Sequence, residues 1–185
     1  MRKLMLALLY TSLPFLANLA SADQATLEAL RDGDMRKLSF ASDPQPAPLT
    51  TFSDANGDDI TLDQYAGQYV LLNFWATWCA PCREEMPTLS ALQSDLGGDR
   101  FAVVTIATGR NDRAGMERFF AEIGVDNLPL NTDPRQQLAR DMGVLGLPVT
   151  LILNPEGQEI ARLQGGTDWA SDSARAIIAA LIAGD

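Results

Sequence analysis

Two cysteines occur in the whole chain, and they stand three positions apart in Trp78-Cys79-Ala80-Pro81-Cys82. A pair so spaced can ligate a metal, staple the chain, or exchange electrons as dithiol and disulfide. A closed zinc site takes four protein ligands, usually cysteine and histidine. The chain has no histidine, and no carboxylates are spaced to complete a set. A staple gains stability with the length of the loop it closes, and this loop spans two residues. The exchange reading accounts for the position. An apolar run at residues 70–75 precedes the pair, and Leu89, Leu92 and Leu96 recur after it at helical spacing. Cys79 then stands at a helix N-terminus, where free backbone N–H groups stabilise a thiolate. Cys82 follows one turn later on the same face and can resolve a mixed disulfide formed at Cys79. Pro81 has no N–H to lose in a first turn and stiffens the loop. Dithiol–disulfide exchange is the reading these fits favour.

The elements that must hold this turn show in the hydrophobic pattern. Val70-Leu71-Leu72-Asn73-Phe74-Trp75 reads as a strand buried on both faces, and Phe101-Ala102-Val103-Val104-Thr105-Ile106 as the next one. Met116, Phe119, Phe120 and Ile123 mark an amphipathic helix whose apolar face is core. Asp133 is expected to cap a helix, with Pro134 at its first position, Gln136 closing a capping box, and Leu138 and Met142 facing inward. Residues 149–153 and 159–163 read as a hairpin across Asn154-Pro155-Glu156-Gly157. Ala174, Ile177, Ile178 and Leu181 form a final helix. Upstream, Asn56-Gly57 marks a hairpin within residues 49–62, and residues 25–38 suit one or two short helices. Asp43-Pro44-Gln45-Pro46-Ala47-Pro48 reads as a break between an N-terminal arm and the main domain. The expected fold is α/β: one central mixed sheet flanked by helices on both faces, with an N-terminal extension.

Arg2 and Lys3, an apolar run from Leu4 to Leu19 and the small residues Ala20-Ser21-Ala22 read as a secretory signal peptide cut after Ala22. A retained membrane anchor is the alternative, although the run is shorter than the roughly 20 residues an anchor prefers. The expected division is a leader at 1–22, an arm at 23–46 and one domain at 47–185. Without the leader, 12 basic residues face 24 acidic ones, a formal charge of −12. Such a chain is repelled by phosphate backbones, so nucleic acid is a poor partner.

Residues 73–87, Asn73-Phe74-Trp75-Ala76-Thr77-Trp78-Cys79-Ala80-Pro81-Cys82-Arg83-Glu84-Glu85-Met86-Pro87, and residues 143–150, Gly143-Val144-Leu145-Gly146-Leu147-Pro148-Val149-Thr150, resemble the TlpA/ResA-like thioredoxin-fold proteins. Element order agrees over roughly residues 47–183. The resemblance implies that Cys79 attacks and Cys82 resolves. It implies that Pro148 is a cis-proline beside the active disulfide, and that the backbone at Leu147 pairs with an extended client peptide. Trp78 and Pro81 are then part of the client surface. Glu85 matches an acidic residue that tunes the thiols; helical spacing puts it on the face of Cys82 and turns Glu84 about 100° away. A solvated charge in the Arg83-Glu84-Glu85 run is the competing reading. Asn73 stands where cytoplasmic thioredoxin has a buried aspartate, so any base must be Glu85 or water.

The function implied is an exported disulfide reductase, periplasmic or anchored facing the periplasm. It would be a monomer with no cofactor beyond the redox-active Cys79–Cys82 pair, recharged by a membrane electron donor of the CcdA/DsbD type. Its clients would be proteins with reducible disulfides in cytochrome c or copper-centre maturation. Val149, where cytochrome-c-specific members often carry an acid, leans toward a general or copper-related role. The alternatives are a DsbA-like thiol oxidase, a non-catalytic binding or assembly module, and a peroxidase. An oxidase of that type has a helical insertion and a histidine between the cysteines, and a peroxidatic cysteine needs no such neighbour.

Overall fold

The computed structural model describes residues 19–184. The expected leader rests mainly on residues 1–18, outside the described residues. No helix among the described residues is long and apolar enough to cross a membrane.

Eight strands form one sheet: β1 (Ser39–Pro46), β2 (Phe52–Ser53), β3 (Asp59–Ile60), β4 (Tyr69–Trp75), β5 (Phe101–Thr108), β6 (Asn131–Asp133), β7 (Val149–Leu153) and β8 (Gln158–Gln164). Their spatial order is β1-β8-β7-β4-β5-β6-β2-β3. β4, β5 and β6 run parallel, and β7, β8 and β1 continue antiparallel on the other side of β4. The helices are α1 (Leu19–Ala29), α2 (Ala80–Leu96), α3 (Arg113–Glu122), α4 (Gln137–Asp141) and α5 (Asp172–Ala183).

All seven residues of β4 are buried, because the sheet has a core on each face. Leu71 and Trp75 point to the side covered by α2, α3 and α5, where Leu89, Phe119, Phe120 and Ile177 pack. Val70, Leu72 and Phe74 point to the side covered by α4, with Leu138 and Met142. This alternation follows from the two-residue period of a strand. Trp75 stacks on Phe120, with ring centroids 5.4 Å apart. The three parallel strands end together, so the loops after β4, β5 and β6 gather at one end of the sheet.

The mixed sheet, both hairpins and the helices after β4 and β5 are where the pattern put them. Three features differ. The proline-rich stretch does not interrupt regular structure: β1 runs to Pro46 as an edge strand against β8. Prolines are tolerated at an edge, where a missing N–H breaks no ladder, and the register shifts between Phe40 and Gln45. β6 was invisible because three residues carry no periodicity. The helix after it starts at Gln137, later than expected. Asp133 still caps it, accepting from the N–H groups of Gln137 and Ala139 at 2.9 Å each. Pro134 lies in the preceding turn, and Gln136 takes a left-handed conformation, φ 55°, instead of closing a capping box.

Candidate active site

Cys79 and Cys82 are joined by a disulfide, with Cα atoms 5.3 Å apart. Cys79 is the N-cap residue of α2, and its Sγ accepts from the N–H of Cys82 at 3.3 Å. The helix N-terminus therefore presents the Cys82 N–H to the sulfur of Cys79. Cys79 is 6% exposed and Cys82 is fully buried, so of the two only Cys79 reaches the surface. Trp78 is 66% exposed beside it. Asn111, from the loop after β5, holds the approach to the turn. Its side-chain oxygen accepts from the Thr77 N–H at 2.8 Å, and its amide donates to the Thr108 carbonyl at 3.0 Å.

The Leu147–Pro148 bond is cis. Val149 opens β7 opposite Phe74, which sets Pro148 at the end of β4 from which the chain leaves for Cys79. The Pro148 carbonyl accepts from the Gly165 N–H at 2.9 Å. Among the described residues, no backbone hydrogen bond engages the N–H or C=O of Leu147.

Glu85 is not a solvated charge. It is 2% exposed, facing the sheet from the second turn of α2. Asn73 on β4 donates from one amide to Glu85 Oε1 at 2.8 Å and to Thr150 Oγ1 at 2.9 Å. The Thr167 N–H donates to Glu85 Oε2 at 3.3 Å. Burial is the largest influence on the carboxyl and pushes its pKa from 4.5 up to about 7, against the opposing hydrogen bonds from Asn73 and Thr167. The Trp169 indole also approaches but falls short of hydrogen-bond geometry. Glu84 points outward and is exposed. Asn73, read from sequence only as a missing base, proves to be the residue that orients Glu85.

Two recesses flank the turn. On the Trp78 side, a groove of about 440 Å³ is lined by Trp78, Arg140, Val144, Leu145 and Leu147, with Leu145 fully exposed. On the Pro81 side, a cleft of about 350 Å³ is lined by Pro81 and the acids Asp34, Glu84, Glu85 and Asp168. The β8–α5 loop closes that cleft tightly: a Cβ at Gly166 would lie 3.3 Å from Pro81. The Trp169 N–H donates to Thr88 Oγ1 at 3.1 Å.

The structure thus brings Cys79, Cys82, Trp78, Pro81, Glu85, Leu147 and Pro148 to one end of the sheet. Sequence reasoning missed Thr150, Thr167, Asn111 and Arg140. Thr150 offered a signal, as a polar residue in an apolar strand; the others sit in loops or on a five-residue helix. Among the described residues no cluster of ligating side chains suits a metal ion.

Residues 44–160 match the AhpC/TSA family. The thiol-disulfide oxidoreductase ResA of Bacillus subtilis is 32% identical over 124 residues, 67% of this chain and 68% of that protein. The thiol:disulfide interchange protein HelX of Rhodobacter capsulatus is 36% identical over 99 residues, 54% of this chain and 53% of its own. A solved thiol:disulfide interchange protein of the thioredoxin family from Chlorobium tepidum superposes with a TM-score of 0.61 at 24% identity, covering 76% of this chain and 99% of that one.

Proposed function

We propose, on the premise that the chain belongs to the AhpC/TSA family and is a thiol-disulfide oxidoreductase of the ResA type, that it works as an exported reductase of client-protein disulfides. The observation that carries this reading is the Cys79–Cys82 disulfide at the start of α2, with Cys79 alone reaching the surface. In the reduced protein the Cys79 thiolate attacks one sulfur of a client disulfide. A Cys79–client bond forms, and the client's other sulfur leaves as a thiolate. The Cys82 thiolate then attacks Sγ of Cys79, restoring the intramolecular disulfide and releasing the second client thiolate. Two electrons pass to the client.

Each chain residue has a definite part. The helix N–H groups hold negative charge at Cys79. Glu85, one turn after Cys82 with a pKa near 7, takes up and returns the proton of the resolving thiol near neutral pH. Asn73 and Thr167 fix the carboxyl for that exchange. The unengaged backbone of Leu147 pairs with an extended client segment, and Trp78 and Pro81 border it. Pro148 supports that edge.

The cycle needs a source of electrons, and a membrane donor of the CcdA/DsbD type fits an exported protein with no other cofactor. The same reading makes the protein a periplasmic monomer after removal of residues 1–22, acting on cytochrome c or copper-centre maturation clients. In the reduced protein, Cys82→Ser should accumulate mixed disulfides through Cys79, and Cys79→Ser should give none. Equal trapping by both variants would overturn the assignment of roles.

A further inference from the structure

The groove beside Trp78 differs in charge from the rest of the protein. The chain carries 24 acidic against 14 basic residues. Most basic side chains among the described residues are paired with a neighbouring acid, as Arg113 is with Glu117 and Arg175 with Asp95. Arg110, Arg135 and Arg140 form no such pair. Topology puts all three at one end of the sheet. Arg110 follows β5, Arg135 follows β6 and Arg140 lies on α4, the end at which β4 leads to Cys79.

Arg140 lines the groove itself, and no acid does. Its guanidinium donates to the neutral Gln137 at 3.1 Å. The adjacent Asp141 feels the Arg140 charge but makes no ion pair with it, and is engaged instead by the Thr50 hydroxyl at 2.6 Å and the Gln137 amide at 3.0 Å. Gln136, also on the groove, is the one non-glycine among the described residues with positive φ. That conformation is disfavoured for a side-chain-bearing residue. It is held where the Gln136 amide covers Gly109, whose Cβ position would be 3.2 Å away. The strained turn fixes the start of α4 and with it the place of Arg140.

We propose that this groove selects client segments by charge. Trp78, Val144 and Leu145 take an apolar side chain next to the client cysteine, and Arg140 takes an acidic side chain beside it. Arg110 and Arg135 add longer-range attraction. The occupant is an extended, disulfide-bearing client segment with Asp or Glu near the cysteine. The opposite cleft, lined by Asp34, Glu84 and Asp168, repels that acid and so sets the direction in which the segment lies. This inference rests on the reading of the chain as a client-protein reductase.

The test uses the reduced Cys82→Ser protein and cyclic peptides closed by one disulfide. The peptides are identical except for Glu, Gln or Lys beside one cysteine. Attack by Cys79 forms the Cys79–peptide disulfide and frees the other peptide thiolate, which mass spectrometry follows in time. The Glu peptide should react about tenfold faster than the Lys peptide at low ionic strength, and the gap should narrow in high salt. Adding Arg140→Gln should bring the ratio near one, and Arg140→Glu should invert it. Arg175→Gln, the same change of charge on α5, should leave it at about tenfold. Because each ratio is taken within one variant, a partial folding defect does not imitate the effect. A wild-type ratio near one, or an unchanged ratio in Arg140→Gln, would overturn the charge selection and leave the reductase reading standing. Failure of every peptide while hydroxyethyl disulfide still reacts would overturn the client reading, and this inference with it.

Discussion

The two flanks of the Cys79–Cys82 turn are built from different stretches of chain and have opposite character. The Trp78 flank is open and apolar, formed by α4 and the loop into β7, and its charged residue is Arg140. The Pro81 flank is acidic, closed by the loop between β8 and α5, and holds a carboxyl that burial keeps half-protonated near neutrality. A thiol exchanger must meet a client and must move protons. On the proposed reading the two tasks fall on opposite sides of one helical turn. Each flank therefore gives its own measurable signature.

The largest expected effect is on the acidic flank. The folded-state pKa of Glu85 lies above its unfolded value, so the stabilisation it represents is complete below 4.5 and is lost as the pH rises through 7. A rise from 4.5 to about 7 corresponds to about 3 kcal/mol. Oxidised Glu85→Gln should exceed wild type by about that amount in urea unfolding at pH 9 and differ little at pH 4. The pH profile of Cys79 alkylation in the reduced protein should also change. Glu84→Gln, one residue away but exposed, should match wild type in both experiments. Identical behaviour of the two variants would erase the distinction between the flank's buried and exposed acids.

A smaller effect is expected where the open flank is anchored. Asn111→Ala leaves the Thr77 N–H and the Thr108 carbonyl without their partner, a cost of about 1–2 kcal/mol. The urea midpoint should fall accordingly, with no change in the pH dependence assigned to Glu85. The smallest change in stability belongs to Trp78→Ala. An indole 66% exposed contributes little to folding, so stability should stay within about 0.5 kcal/mol of wild type. Its kcat/KM toward peptide disulfides should nevertheless drop about tenfold, as truncating an aromatic contact does at a binding surface. A large loss of stability with unchanged kcat/KM would mark Trp78 as structural.

The contrast between the flanks also separates what was legible in the sequence from what was not. The disulfide turn was legible because its setting is local: an apolar strand, a capping position and a helical repeat lie within the 27 consecutive residues 70–96. The sheet was legible for the same reason, apart from β1 and β6, since an edge strand with prolines and a three-residue strand carry no alternation. Spacing alone put Glu85 on the right helical face. It could not reveal its burial, because Thr150 comes from β7 and Thr167 from a loop 82 residues further on. Arg140 was silent altogether. On α4 it reads as one more charge on a short helix, and its significance comes from a groove whose other wall is Trp78, 62 positions earlier.

Direction of electron flow is the central claim, and the reduction potential of the Cys79–Cys82 couple tests it most directly. Equilibration of the purified protein with glutathione, read by alkylation and mass spectrometry, places it on a scale from roughly −270 mV for thioredoxin to roughly −120 mV for DsbA. The loop Ala80-Pro81 offers no histidine to stabilise the reduced form, so the reductase account predicts a value below about −200 mV. A value near −120 mV, together with rapid oxidation of reduced peptides, would contradict it and make the protein an oxidase with the same catalytic pair.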